Sequence, residues 1–141
     1  MLYWYFISAV YLFILTVQDI KNKTWVDDRL NYFMFGATFA LVMFKPPKHW
    51  WFMLAVFLVV AFICHIMVKK HIIGSADSNT FIWLFAGLAV LDIFSILKWL
   101  IFFIPLLIVH HIVIWILKYK EKKYPLYPLL FVSWILFLFT L

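Results

Sequence analysis

From Trp50 to Val68, and again from Trp99 to Leu117, the chain carries no Asp, Glu, Lys or Arg. A helix of about 20 such residues spans the hydrocarbon core of a bilayer. Four further apolar runs accompany these two, so that the series reads approximately Leu2–Val17, Leu30–Phe44, Trp50–Val68, Thr80–Phe94, Leu97–Leu117 and Leu126–Leu141. Hydrophobic residues make up 68% of the 141 positions and the mean hydropathy is +1.06. A soluble domain is roughly half apolar, and no water-soluble fold of this size hides so much apolar surface. The expected fold is therefore an all-α integral membrane protein, a bundle of six transmembrane helices forming one membrane-embedded domain over residues 1–141, with no soluble domain. Only Asp92, Ser95 and Lys98 mark the turn between the fourth and fifth runs, so a five-span reading stands beside the six-span one. The first run has no basic segment before it, and Ser8-Ala9-Val10 inside it is a poor cleavage site. It reads as a retained helix and not a removed signal peptide.

The connectors set the expected orientation. Lys21, Lys23 and Arg29 follow the first run, Lys69 and Lys70 the third, and Lys118, Lys120, Lys122 and Lys123 the fifth; only Lys45, Lys48 and Lys98 fall on the other side. The excess of basic residues in the first set places it in the cytoplasm and both termini outside. The net charge of +6 is thus a topology signal between apolar runs. It forms no basic stripe, so no nucleic-acid partner is expected. Trp4, Trp50, Trp51 and Trp99 lie near run ends and read as interfacial anchors. The single cysteine, Cys64, excludes an internal disulfide and a Cys-x-x-Cys metal site, and reads as a small apolar packing residue.

Two carboxylates stand out because each sits just past an apolar run, and ionisable groups at a bilayer rim are costly to bury. Asp19 lies in Val17-Gln18-Asp19-Ile20-Lys21-Asn22, and Asp77 in Gly74-Ser75-Ala76-Asp77-Ser78-Asn79. Charge counting puts both on the cytoplasmic side. The plain alternatives are a helix-end ion pair with Lys21 or Lys23 for Asp19, and a turn with Asp77 or Ser78 as N-cap of the fourth helix for Asp77. Asp27 and Asp28, beside Arg29, read first as caps of the second helix. The small residues Gly74, Ser75 and Ala76 let a backbone approach Asp77 closely.

These segments resemble a family. Val17-Gln18-Asp19, followed by a short basic polar stretch with Asp28 nine residues on, looks like the first-aspartate region of archaeal preflagellin peptidases and type IV prepilin peptidases. Gly74-Ser75-Ala76-Asp77 looks like their Gly-x-Gly-Asp motif, shared in form with presenilin-type intramembrane aspartyl proteases. Pro125-Leu126-Tyr127-Pro128 resembles the Pro-x-x-Pro that opens the final helix of prepilin peptidases. The three occur in family order across most of the chain. The chain departs from the pattern in having Ala76 where the family has glycine and Asn79 where a lysine is frequent, and it lacks the cysteine-bearing cytoplasmic insertion of the bifunctional bacterial enzymes. The resemblance therefore implies a peptidase without N-methyltransferase activity, acting in the cell membrane on precursors with a basic leader and an apolar helix.

The chemistry implied is that of an aspartyl dyad. Two carboxyls held close cannot both ionise easily and share one proton. The ionised one deprotonates a water, while the protonated one polarises the scissile carbonyl and then protonates the leaving amine. Asp19 and Asp77 are the candidate catalytic residues. Gly74, Ser75, Ala76, Pro125 and Pro128 are candidates for positioning substrate, and Asp27 and Asp28, with Glu121, for attracting the leader. Pro125 and Pro128 either keep their segment extended, ready to pair with substrate, or simply start a helix. No cofactor and no metal is expected: His65, His71, His110 and His111 show no ligand spacing, and the adjacent His110 and His111 face apart on a helix. Two other classes use the same residues: a small transporter or proton conductor titrating Asp19 and Asp77, and an inactive scaffold of the same fold.

Overall fold

Without water to serve free amides, an apolar run must satisfy its backbone internally. The computed structural model describes residues 2–22, 27–44, 46, 50–116 and 126–141. Among the described residues every regular element is a helix: α1 (Leu2–Lys21), α2 (Arg29–Phe44), α3 (Trp50–Lys69), α4 (Ser75–Leu91), α5 (Ile93–Ile116) and α6 (Tyr127–Leu138). Three contain stretches long and apolar enough to cross a membrane: Tyr3–Lys21, Trp50–Lys69 and Phe94–Val113. The other three, α2, α4 and α6, are apolar but shorter.

Helices α1 and α4 run several residues past their apolar runs into polar segments. In α1 nothing after Val17 breaks a helix, and the Asn22 amide still reaches the Gln18 carbonyl at 2.8 Å, so Asp19 lies inside the last turn and not after it. α4 begins at Ser75 instead of near Thr80, because Gly74 is extended (φ −79°, ψ 166°) and serves as N-cap while the Asp77 carboxylate accepts the Gly74 amide at 3.1 Å. The weak boundary between the fourth and fifth runs is a one-residue joint. Asp92 is extended (φ −167°, ψ 135°), its amide still bonds Leu88, and its side chain accepts the Phe94 amide at 3.3 Å. It therefore ends α4 and caps α5.

The chain forms two compact units. The first takes in Met1–Trp4 and Asp27–Ile96. Here α4 packs against both α2 and α3, burying Met34, Trp83, Leu84 and Leu88 completely. Trp4 belongs to this core. It is 4% exposed, meets Trp83 edge-on with ring centres 6.4 Å apart, and donates from Nε1 to Thr38 Oγ1 at 3.4 Å. Its ring lies over Gly87, where a Cβ would overlap Trp4 Cζ2 and Cη2. The α3–α4 turn closes with paired bonds from His71 N–H to Val68 O and Ile72 N–H to Met67 O, both 2.9 Å. This is a Schellman motif with His71 in the left-handed position usual for glycine (φ 55°). Cys64 is buried on α3, as a small apolar packing residue would be.

The second unit takes in Tyr5–Val26 and Leu97–Leu141. Its core holds Leu12, Leu15, Trp99, Leu130, Trp134 and Phe137. Trp134 lies 6.2 Å from both Tyr5 and Trp99, ring centre to ring centre, and 5.3 Å from Phe137. Buried indoles need partners, and both have them: Trp134 Nε1 donates to the Tyr5 carbonyl at 3.2 Å and Trp99 Nε1 to Ser133 Oγ at 3.1 Å. The expectation that Trp4 and Trp99 are interfacial anchors is thus corrected; a tryptophan near a run end that finds both an apolar slot and an acceptor is buried instead. Trp50 and Trp51 are exposed, at 50% and 84%.

Candidate active site

Asp19 is buried, with 4% of its surface exposed, although it stands two residues from the end of α1. The helix has carried the side chain past Lys21 and Asn22, which are both exposed, and turned it inward. Its Oδ2 accepts the backbone amide of Tyr127 at 3.3 Å, with the Leu126 amide beside it. A carboxylate at a helix N-terminus satisfies amides that have no partner within the helix. Asp19 therefore caps α6 from 108 residues away. This joins two of the segments singled out in the sequence, the first aspartate and the Pro-x-x-Pro stretch, within the second unit.

Of that stretch, Leu126 already has helical dihedrals (φ −86°, ψ −30°), Tyr127 is 1% exposed, and Pro128 sits in the first turn of α6. The extended alternative does not hold for residues 126–128. Proline lacks the amide that a first turn leaves unpaired, so it starts a helix without loss. Pro125 lies outside the described residues, as does Glu121.

Asp77 belongs to the first unit and Asp19 to the second. Asp77 is half-buried in the first turn of α4, its Oδ2 on the Gly74 amide at 3.1 Å. Gly74 and Ser75 are exposed and Ala76 is half-buried. Neither motif position 74 nor 76 requires glycine. Gly74 has an ordinary negative φ, and a Cβ there would meet Asp77 Oδ2 at a normal 3.4 Å. Ala76 is helical. The departure from the Gly-x-Gly-Asp pattern at Ala76 is conformationally harmless.

Asp27 and Asp28 both have local roles. Asp27 Oδ1 accepts the Arg29 amide at 3.0 Å and its carbonyl accepts Leu30, which caps α2. Asp28 Oδ1 accepts Asn79 Nδ2 at 2.9 Å and lies 3.5 Å from Asn31 Nδ2. Asn31 itself is wholly buried. Its Nδ2 donates to the Ala76 carbonyl at 3.1 Å, while its Oδ1 accepts Thr80 Oγ1 at 2.8 Å and Trp83 Nε1 at 2.9 Å. Asn31 and Thr80 were not singled out in the sequence. The available signal was a lone asparagine one residue inside an apolar run, where an unpaired amide is costly.

Among the described residues, no group of three or more His, Cys, Asp or Glu side chains is arranged to hold a metal ion. The His110 and His111 rings are 6.3 Å apart at 73°, and His111 Nδ1 is 3.1 Å from the Leu107 carbonyl. Compared with known proteins, the chain matches no family model, no curated protein and no solved structure.

Proposed function

We propose that the chain is an intramembrane aspartyl endopeptidase, multi-pass in the cell membrane, with its active site facing the cytoplasm. It removes signal peptides from type IV pilin-like or archaellin precursors at the cytoplasmic membrane edge. Asp19 and Asp77 act as the dyad, one carboxylate taking a proton from water and the other, protonated, polarising the scissile carbonyl and then protonating the leaving amine. All six helices cross the membrane in this reading and both termini lie outside. The shorter α2, α4 and α6 then require local bilayer thinning.

The observation that carries the reading is the setting of Asp19. Its carboxyl is almost wholly buried in the last turn of an apolar span, at the start of the helix that the Pro-x-x-Pro segment opens. A carboxyl in such a place is costly and is a functional-site hypothesis by default. The half-buried Asp77 supports it, since the small, exposed Gly74 and Ser75 leave room beside its turn for an extended substrate backbone. Asp27 and Asp28 add negative charge at the start of α2 that attracts a basic leader.

The test is cleavage of a panel of precursor peptides by the purified protein in liposomes. Wild type cuts, and Asp19→Asn or Asp77→Asn each lowers the rate at least about 100-fold. Full activity of Asp77→Asn overturns the assignment, and proton flux without cleavage points to the transporter class. Asp27→Asn keeps an acceptor for the Arg29 amide but removes the charge. It raises KM about twofold for basic leaders only; an unchanged KM removes Asp27 from leader recognition.

A further inference from the structure

Asn31 spends its whole hydrogen-bonding capacity on one neighbour helix and one carboxylate. An asparagine amide has two N–H donors and two acceptor lone pairs. Here the donors go to Ala76 O and Asp28 Oδ1, and the acceptor sites take Thr80 Oγ1 and Trp83 Nε1. The orientation of the amide is determined by these partners, because reversing it would set its N–H groups against the Trp83 indole N–H, which can only donate, and its oxygen against the Ala76 carbonyl and the Asp28 carboxylate, which can only accept. Ala76, Thr80 and Trp83 fall at intervals of four and three along α4 and so share one face. Asn31 therefore grips α4 along that face and fixes its rotation against α2. Asp77 is the next residue after Ala76 and projects about 100° around the helix from it. Whatever sets the Ala76 face sets the direction of the Asp77 carboxyl. Half-buried at the end of the same contact, Asp28 and Asn79 form a second tie between the two helices, 2.9 Å long.

We propose that Asn31, with the Asp28–Asn79 tie, is the positioning device for Asp77: it holds the first turn of α4 in the one rotation that aims this carboxyl at the scissile bond. The inference rests on the peptidase reading above and assigns Asn31, Asp28 and Asn79 a role in it as positioning residues. Asn79 stands where the resembling family often has lysine, and its amide serves the Asp28 carboxylate directly.

The experiment is the liposome cleavage assay with kcat and KM measured separately, alongside thermal unfolding of each variant to count folded protein. Asn31→Ala leaves Thr80 and Trp83 without their acceptor and risks misfolding, so the Asp28–Asn79 tie carries the test. Asp28→Ala and Asn79→Ala each lower kcat per folded molecule about tenfold, as expected for a misaimed catalytic group; Asn79→Ala leaves KM unchanged, while Asp28→Ala also raises it about twofold for basic leaders through the lost charge. The reciprocal exchange Asp28→Asn with Asn79→Asp, which restores one donor and one acceptor, recovers most of the loss. If wild type and Asp77→Asn behave alike, the peptidase reading fails and this inference with it. If Asp77→Asn is inactive while Asp28→Ala and Asn79→Ala keep full kcat per folded molecule, or the exchange recovers nothing, the positioning role alone is overturned.

Discussion

A methyl group added at position 87 and one added at position 36 meet opposite surroundings. Both glycines lie inside helices, where alanine is better than glycine by about 0.5–1 kcal/mol on backbone grounds. At Gly36 a Cβ meets nothing within 4 Å, so Gly36→Ala keeps that gain. At Gly87 the Cβ falls within the Trp4 ring, which Thr38 and Trp83 hold in place. Overpacking of this kind costs about 1–3 kcal/mol and outweighs the helix gain. Gly87→Ala is expected to lower the unfolding midpoint in detergent and Gly36→Ala to raise it; equal shifts would show that Trp4 does not rest there. At this scale the sequence was legible in residue type and illegible in direction. Asp19 and Asp77 stood out because a carboxylate is conspicuous among apolar residues. Asn31 and Gly87 did not, because helices that are apolar on all sides carry no stripe to show which face meets a neighbour.

Helix existence was readable from the apolar runs, and helix ends were not, because hydrophobicity ends where the membrane ends and a helix ends where its amides find caps. α1 runs on through Asp19 to Lys21, and α4 starts five residues before its apolar run, at the turn that Gly74 and Asp77 cap. The joint between α4 and α5 had no proline or glycine to announce it. Asp92 makes it by leaving the helical region for one residue and offering its carboxylate to Phe94. Removing such a cap costs about 1 kcal/mol. Asp92→Ala is therefore expected to lower stability in a mixed-micelle unfolding titration by about that amount, and Asp92→Asn by less than half as much. If the two variants are equally stable, the side chain is not the cap.

For the molecule as a whole, the orientation proposed from the charge asymmetry of the connectors depends on membrane crossing by the 17-residue α4. Lys70 directly follows α3 and Lys98 stands in the second turn of α5, and the proposed orientation, which puts them on opposite sides, requires α4 to cross. With Cys64→Ala as background, Lys98→Cys is expected to react with an impermeant maleimide from outside intact cells, and Lys70→Cys only after permeabilisation. Reaction of both from one side would reduce the span count. The all-helical class was legible because the long uninterrupted apolar runs, two of them free of Asp, Glu, Lys and Arg over about 19 residues, match the length of a spanning helix and not the short alternating pattern of a barrel strand. The division into two units was not, because α1 and α5 each contribute to both, and no linker or change of composition marks the passage.

The bond between Asp19 and the Tyr127 amide sets a timetable for the nascent chain. The partner of Asp19 is made 108 residues after it, which at about 5–20 residues per second is several seconds or more of synthesis. During that interval the first helix is in place with its carboxyl uncapped by α6. Because α6 follows α1 through α5 along the chain, the surroundings of Asp19 are completed only after α6 is made, and a translation product that stops before Tyr127 leaves this carboxyl without its amide partner.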